Sequence, residues 1–530
     1  MKELVFDELS LEQKIGLVLC AHPVFGQADD EYTLKLIKER RLGAVWANPT
    51  RADFIKRIKE TADYPIIIVC DAENGHGNEG TIPQLISITA AGSKDEYAYS
   101  FGRMTAAQLK KIGINTICNP VVDICKDNGP CGRVMRTFGN DKEVCARLAA
   151  KVAEGMHDAG VLAVAKHYPG NDNLPYDSHM REGCIQVSRE ELIEENLYPY
   201  TELIKKCLLD GVMVGHQKVA EIDPDRTATL SRPMTTLLRD LGFDGFYITD
   251  ALCMLGIVSK YGWEKPVGMA VGAGIDLTLP WSIDTKGAYE NLMNCYKQGI
   301  FTEDDLNNSV KNILNAQHKV YEMMDALPTY SNEDVENIKK INLECISTVC
   351  EEGITPNISK DGKHLFVIMS EEKCEFDFDS AELPTVRDWY YPQRIARKII
   401  ELFPNSECRS ITQYPDAHQT RVVLESQTNY DDVVFITFTK SEAYTGRECL
   451  STRIVDLMDA LQSTAKIVAH IHYGNPFAGA TAPYTPRYIN GYCSAECVNN
   501  TLLVLSGDLT PKGVIPYNNV KFHKKGDVIR

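Results

Sequence analysis

The stretch VLAVAKHYPG, residues 161–170, decides the fold. Val161 to Ala165 are continuously apolar rather than alternating, as expected of a parallel strand covered on both faces. Lys166 and His167 follow at once, and Asp172, Asp177 and His179 come soon after. A buried strand that runs directly into charged side chains is placing them at a site, because a plain surface loop needs none of them.

Working outward, the same unit recurs. Apolar runs lie at 43–47, 65–70, 114–118, 211–214, 245–249 and 274–279, an eighth is expected near 16–20, and helical patterns separate them. Seven or eight strand–helix units in about 280 residues predict a TIM-type (β/α)8 barrel. After these strands come Asn48, Asp71, Asn119 with Asp123, Lys166 with His167, His216 and Asp250. In such a barrel all of them ring one mouth, at the C-terminal ends of the strands.

The barrel domain is expected to span 1–326, ending with a helix opened by Thr302-Glu-Asp-Asp305. A polar linker is expected over 327–350. Strands near 364–369, 433–438 and 466–472, with helical patterns at 394–403, 451–462 and 495–505, predict a smaller α/β sandwich domain over 351–530.

Composition narrows the partners. The 530 residues carry a net charge of −17, which argues against nucleic acid or an anionic membrane as the main partner. The opening MKELVFDELSLEQKIG reads as a helix with a capping box from Ser10 to Gln13, not as a leader. No apolar run approaches the roughly 18 residues that span a bilayer. Seventeen cysteines, many inside apolar runs, point to reduced thiols and a cytoplasmic location. Cys125/Cys131 and Cys493/Cys497 lack zinc-ribbon spacing, so no metal is expected.

Gly75-His-Gly-Asn-Glu-Gly80 matches a dinucleotide fingerprint. However, Asp71 to Asn74 intervene after the strand, and Pro83 stands where the helix should already run, so no such cofactor is expected. Asp71 and Asp250 could each simply cap a helix, and Arg136 could be a surface ion pair. Their convergence on one rim favours a polar ligand. In Asp177-Ser-His179, residues i and i+2 of an extended loop share a side, so the carboxylate can orient the imidazole as a general acid.

These residues resemble glycoside hydrolase family 3, most nearly its β-N-acetylhexosaminidase branch. The likeness rests on KHYPG with DSH and on FDGFYITDALCM, supported by LSLEQKIG, CDAENG, NPVVDI, RTFGND, ATLSRPMTTLLRDLGFDG and GAGIDLTLP. It covers residues 8–320. GNPFAGATAPYTPRYINGYC and LSGDLTPKGVIP resemble the family's second domain more loosely.

The resemblance implies a retaining double displacement. Asp250 would be the nucleophile, and His179, partnered by Asp177, the acid/base. Asp71, Arg136, Lys166 and His167 would hold hydroxyls of the −1 sugar, with His216 also grouped among the substrate-binding residues. The implied substrate is a small saccharide or cell-wall fragment, most nearly a β-N-acetylglucosaminide. Asn171 and Asp172 stand where the family pattern has His-Gly. SEAYTGRECL lies where the family's β-glucosidases carry an acid/base glutamate, so Glu442 or Glu448 is the alternative acid of a β-glucosidase or β-xylosidase. Phosphate as acceptor in place of water, and a non-catalytic sugar-binding relative, are further alternatives.

Overall fold

The computed structural model describes residues 1–73, 75, 82–127, 129, 133–170, 174, 177–370, 392–439, 443, 444, 446, 448–464, 466–492 and 494–527. By its internal contacts the chain divides into two units. One comprises Met1–His76, Ala98–Gly129 and Asn140–Val335, and the other Gly77–Tyr97, Pro130–Gly139 and Glu336–Arg530.

The first unit contains β1 (Cys20–Ala21), β2 (Ala44–Trp46), β3 (Ile67–Asp71), β4 (Thr116–Cys118), β5 (Leu162–Tyr168), β6 (Gly183–Ile185), β7 (Gly211–Val214), β8 (Gln217–Val219) and β9 (Phe246–Thr249). β1, β2, β3, β4, β5, β7 and β9 pair in that order, all parallel. Residues 277–279 close the ring. Leu277 N–H donates to Tyr247 O at 2.9 Å and Thr249 N–H to Leu277 O at 3.0 Å. On the other side Thr278 N–H donates to Val18 O and Cys20 N–H to Thr278 O, each at 2.9 Å. The ring is the expected TIM-type barrel, with its apolar strands buried as continuous runs.

The ring needs close approach at its seams. A Cβ on Gly43, just before β2, would stand 1.8 Å from the Leu17 carbonyl oxygen, so only glycine fits there. The capping box at Ser10 and Gln13 forms as read, opening the helix Leu11–Leu17. Thr302 and Asp305 form a second one at the head of Glu303–Glu322. β5 runs three residues past the apolar run, so Lys166 and His167 are part of the strand rather than of the loop after it.

The second unit carries β10 (Ser347–Cys350), β11 (His364–Ser370), β12 (Glu407–Thr412), β13 (Asp432–Phe438), β14 (Ile467–Tyr473) and β15 (Arg487–Asn490). Their order in the sheet is β10-β15-β14-β13-β11-β12, parallel except for the β10–β15 pair. The helices Pro392–Leu402, Thr452–Gln462 and Ala495–Ser506 match the sequence pattern. β10, β12 and β15 were not read as strands, and β10 lies at the end of the expected linker. β10 and β15 are four residues long, and β12 has a half-exposed, polar-rich sequence. Within the expected linker, Asn332–Glu344 is a helix opened by reciprocal Ser331–Asp334 hydrogen bonds.

Candidate active site

Strand ends at the barrel mouth bring together most of the residues read from sequence. Lys166 near the end of β5 is 1% exposed, and its ammonium pairs with both Asp71, the last residue of β3, and Glu73 two positions on. A buried ammonium is held only when acceptors surround it, and two carboxylates from one strand end supply them. The Asp71 side chain remains half exposed to the mouth. Glu73 is the partner that sequence reading missed. Its i+2 spacing from Asp71 was the available signal.

The chain leaving β4 stays alongside β5. Val122 N–H donates to Lys166 O at 2.8 Å, and Lys166 N–H to Pro120 O at 3.2 Å. This delivers Asp123 to His167. One Asp123 oxygen accepts the His167 backbone N–H at 3.1 Å, and the other lies 2.8 Å from the ring Nδ1. Both residues are buried. Asp123 was placed at the mouth by sequence, but its pairing was not.

The same grip recurs at His179. Asp177 Oδ1 accepts the His179 backbone N–H at 2.9 Å and lies 2.8 Å from its Nδ1. The carboxylate is buried and the imidazole partly exposed. Two anchors position this loop. Leu255 N–H, beyond β9, donates to His179 O at 2.9 Å, and β6 pairs in parallel with β8. Asn171 and Asp172, where the chain departs from the family pattern, lie outside the described residues.

Asp250 follows β9, with its N–H donating to Val214 O at 3.0 Å. Its Oδ1 accepts from Ala251 N–H at 2.7 Å. Burial pushes the carboxyl up, but His167, His216 and His179, in that order, together with the Ala251 N–H, hold it below the ordinary carboxylate range. Asp250 is therefore ionised at neutral pH, facing three imidazoles from three different segments.

His216 lies beneath this group rather than with an open ring edge. Nε2 is 3.0 Å from Ala251 O, and Nδ1 is 2.8 Å from Thr229 Oγ1. That hydroxyl also lies 2.9 Å from Val214 O and 2.6 Å from Gly215 O. Burial pushes the His216 imidazole down, and Asp250 pulls it back up. Both ring nitrogens thus have protein partners. Tertiary packing, not strand-end position, decides this.

Arg136 ends the helix Arg133–Arg136, which groups with the second unit. Glu448 is buried in the second unit, and Glu442 lies outside the described residues. Among the described residues, no group of three or more His, Cys, Asp or Glu is placed to hold a metal ion. No helix among them is long and apolar enough to cross a membrane.

Known proteins bear on this arrangement. Residues 6–316 match the model of the glycosyl hydrolase family 3 N-terminal domain. A β-hexosaminidase of Tolumonas auensis is 31% identical over 233 residues, covering 42% of this chain and 69% of that protein. One from Idiomarina loihiensis is 30% identical over 251 residues, covering 45% and 74%. Among solved structures, a family 3 β-N-acetylglucosaminidase from a Paenibacillus species superposes with a TM-score of 0.80 at 25% identity, covering 97% of this chain and all of that one. A β-glucoside phosphorylase shares the fold at the same TM-score with 19% identity, covering 97% and 94%. The family match runs through the whole barrel whose mouth holds these groups, and the chain belongs to glycosyl hydrolase family 3 and is a glycoside hydrolase.

Proposed function

We propose that the protein is a retaining exo-β-N-acetylglucosaminidase acting on small saccharides or cell-wall fragments. Asp250 attacks the anomeric carbon and forms a glycosyl-enzyme. His179 protonates the leaving oxygen through Nε2 and then activates water. Asp177 holds Nδ1 and stabilises the imidazolium. Asp71, Lys166, His167 and Arg136 hold the hydroxyls of the −1 sugar, with His216 supporting Asp250 from beneath. The observation that carries this reading is the ionised, partly exposed Asp250 facing His179, which is itself clamped by a buried carboxylate. An anion and a proton donor on one mouth are what double displacement requires, with an imidazole in place of the second carboxylate.

The names of the β-hexosaminidase relatives support the acetamido sugar. The test is a panel of nitrophenyl β-glycosides, run with and without inorganic phosphate. The N-acetylglucosaminide should have the highest kcat/KM in phosphate-free buffer. Preference for glucoside or xyloside, with Glu448→Gln crippled and His179→Ala active, would move the acid to the second unit. Turnover only with phosphate would make the protein a phosphorylase, and turnover of none would leave it a sugar-binding relative.

A further inference from the structure

The charged groups of the mouth stand at the ends of β3, β4, β5, β7 and β9. The remaining arc, formed by β1, β2 and residues 277–279, carries a cluster of aromatic rings. Trp46 is the last residue of β2, His22 follows β1, and Trp281 lies just beyond Leu279. The His22 and Trp281 rings stack with centroids 3.9 Å apart and planes 27° apart. Trp46 meets Trp281 edge-on at 5.5 Å. His22 Nδ1 lies 3.2 Å from the Trp281 carbonyl oxygen. Burial holds the His22 imidazole below the ordinary histidine range, so the ring behind Trp281 is uncharged at neutral pH.

Two features separate this cluster from ordinary packing. Trp281 has φ +61°, a left-handed backbone that is unfavourable for a bulky side chain and is kept where the surroundings over-determine it. Its side chain is nevertheless only partly buried, unlike Trp46. The backbone thus bears strain to hold an indole that the core does not fully enclose. The cluster also adjoins Asp250. Leu252 N–H donates to Leu279 O at 2.9 Å, so the chain leaving Asp250 runs beside the chain entering Trp281.

We propose that Trp281, backed by His22 and braced by Trp46, is a stacking platform for the apolar C–H face of the pyranose ring being transferred. This deepens the glycosidase reading and rests on it. A pyranose has a polar edge of hydroxyls and an apolar face, and the mouth offers both: the ionic groups around Asp250 and, on the other arc, an aromatic cluster beside the Arg51–Asp30 ion pair. Trp281 follows residues 277–279, which lie in the ring between β9, the strand before Asp250, and β1, away from the β5–β7 connection that carries His179. The platform therefore faces the glycone and not the leaving group.

Trp281→Gly is the test, because glycine accepts φ +61° without strain and should keep the backbone in place. KM should rise about 3- to 10-fold, by the same factor for a nitrophenyl and a methylumbelliferyl glycoside of one sugar, with kcat little changed and Trp281→Phe restoring most of the loss. In Asp250→Asn protein, N-acetylglucosamine should shift the tryptophan emission, and the shift should vanish in Asp250→Asn/Trp281→Gly. An unchanged KM, or a loss of kcat and Tm with KM unaffected, overturns the platform while the parent enzyme still turns over glycoside. A factor that differs between the two leaving groups overturns its assignment to the glycone. Absence of turnover by the parent enzyme on every glycoside overturns the site reading itself, and the platform with it.

Discussion

Asp177 Oδ1 accepts two hydrogen bonds from His179, one from its backbone N–H at 2.9 Å and one from ring Nδ1 at 2.8 Å. A single buried oxygen thereby sets both the position and the tautomer of the imidazole. Any proton exchanged with a substrate passes through Nε2. Removing the acid should harm poor leaving groups most, so His179→Ala should lose far more kcat/KM on a natural disaccharide than on a dinitrophenyl glycoside. Asp177→Asn removes the charge that favours imidazolium, and the basic limb of the pH–rate profile should move to lower pH. Equal losses on both substrates would remove His179 from the acid role.

Asp250→Asn should abolish nearly all turnover while leaving the thermal melt close to that of the parent. A 2-fluoro glycosyl fluoride should label the parent at Asp250, read by peptide mapping. The imidazoles hold the Asp250 carboxyl below the ordinary carboxylate range, so the proposed nucleophile should stay ionised as pH falls through ordinary carboxylate values. His216→Gln should move the acidic limb of kcat/KM upward by removing one of these neighbours.

Lys166 pairs with both Asp71 and Glu73 from a position 1% exposed. Lys166→Ala leaves the two carboxylates facing each other, and kcat/KM should fall by about 1–3 kcal/mol of transition-state stabilisation, with a lower Tm. Glu73→Gln should cost less, since Asp71 still pairs with the ammonium. An unchanged kcat/KM in Lys166→Ala would place the sugar elsewhere.

A pH effect on stability is expected at Asp276, in the barrel wall. Its carboxylate accepts from Tyr247 N–H at 2.7 Å and Asn312 Nδ2 at 3.0 Å, and lies 3.3 Å from Arg239. Burial outweighs these partners and raises the carboxyl from 3.8 to about 6. With the folded value above the unfolded one, the native state binds the extra proton between about pH 4 and 6. The contribution is therefore neutral-to-favourable below pH 4 and lost as pH rises through 6. Two units correspond to roughly 3 kcal/mol. The Tm difference between Asp276→Asn and the parent should grow in favour of the variant from pH 4 to pH 7, measured by calorimetry. A difference flat in pH would mean the group is ionised throughout.

The barrel was legible because its signal is local. A run such as Val161 to Ala165 must lie between two apolar layers whatever its partners are, and the polar residue after it must lie at a strand end. The cap at Ser10 and the Asp177–His179 pair were legible for the same reason, since their partners lie within three positions of each other. β12 and β15 were not, because an edge strand half-open to water and a four-residue strand carry little apolar period. The helix Asn332–Glu344 was read as linker because its few buried apolar residues are scattered among charges.

By itself, then, the sequence was enough to read the barrel strands, to place the polar residues at their C-terminal ends, and to pair Asp177 with His179. Only the tertiary structure decided which distant groups meet. Lys166 reaches Asp71 across 95 positions, Asp123 grips His167 across 44, and His22 stacks on Trp281 across 259. It also set the His216 ring nitrogens against Thr229 and the Ala251 carbonyl. The first two follow from the pairing of β3, β4 and β5, and the third from closure of the ring between residues 277–279 and β1; register across a closed sheet is a property of all its strands together, not of any one segment.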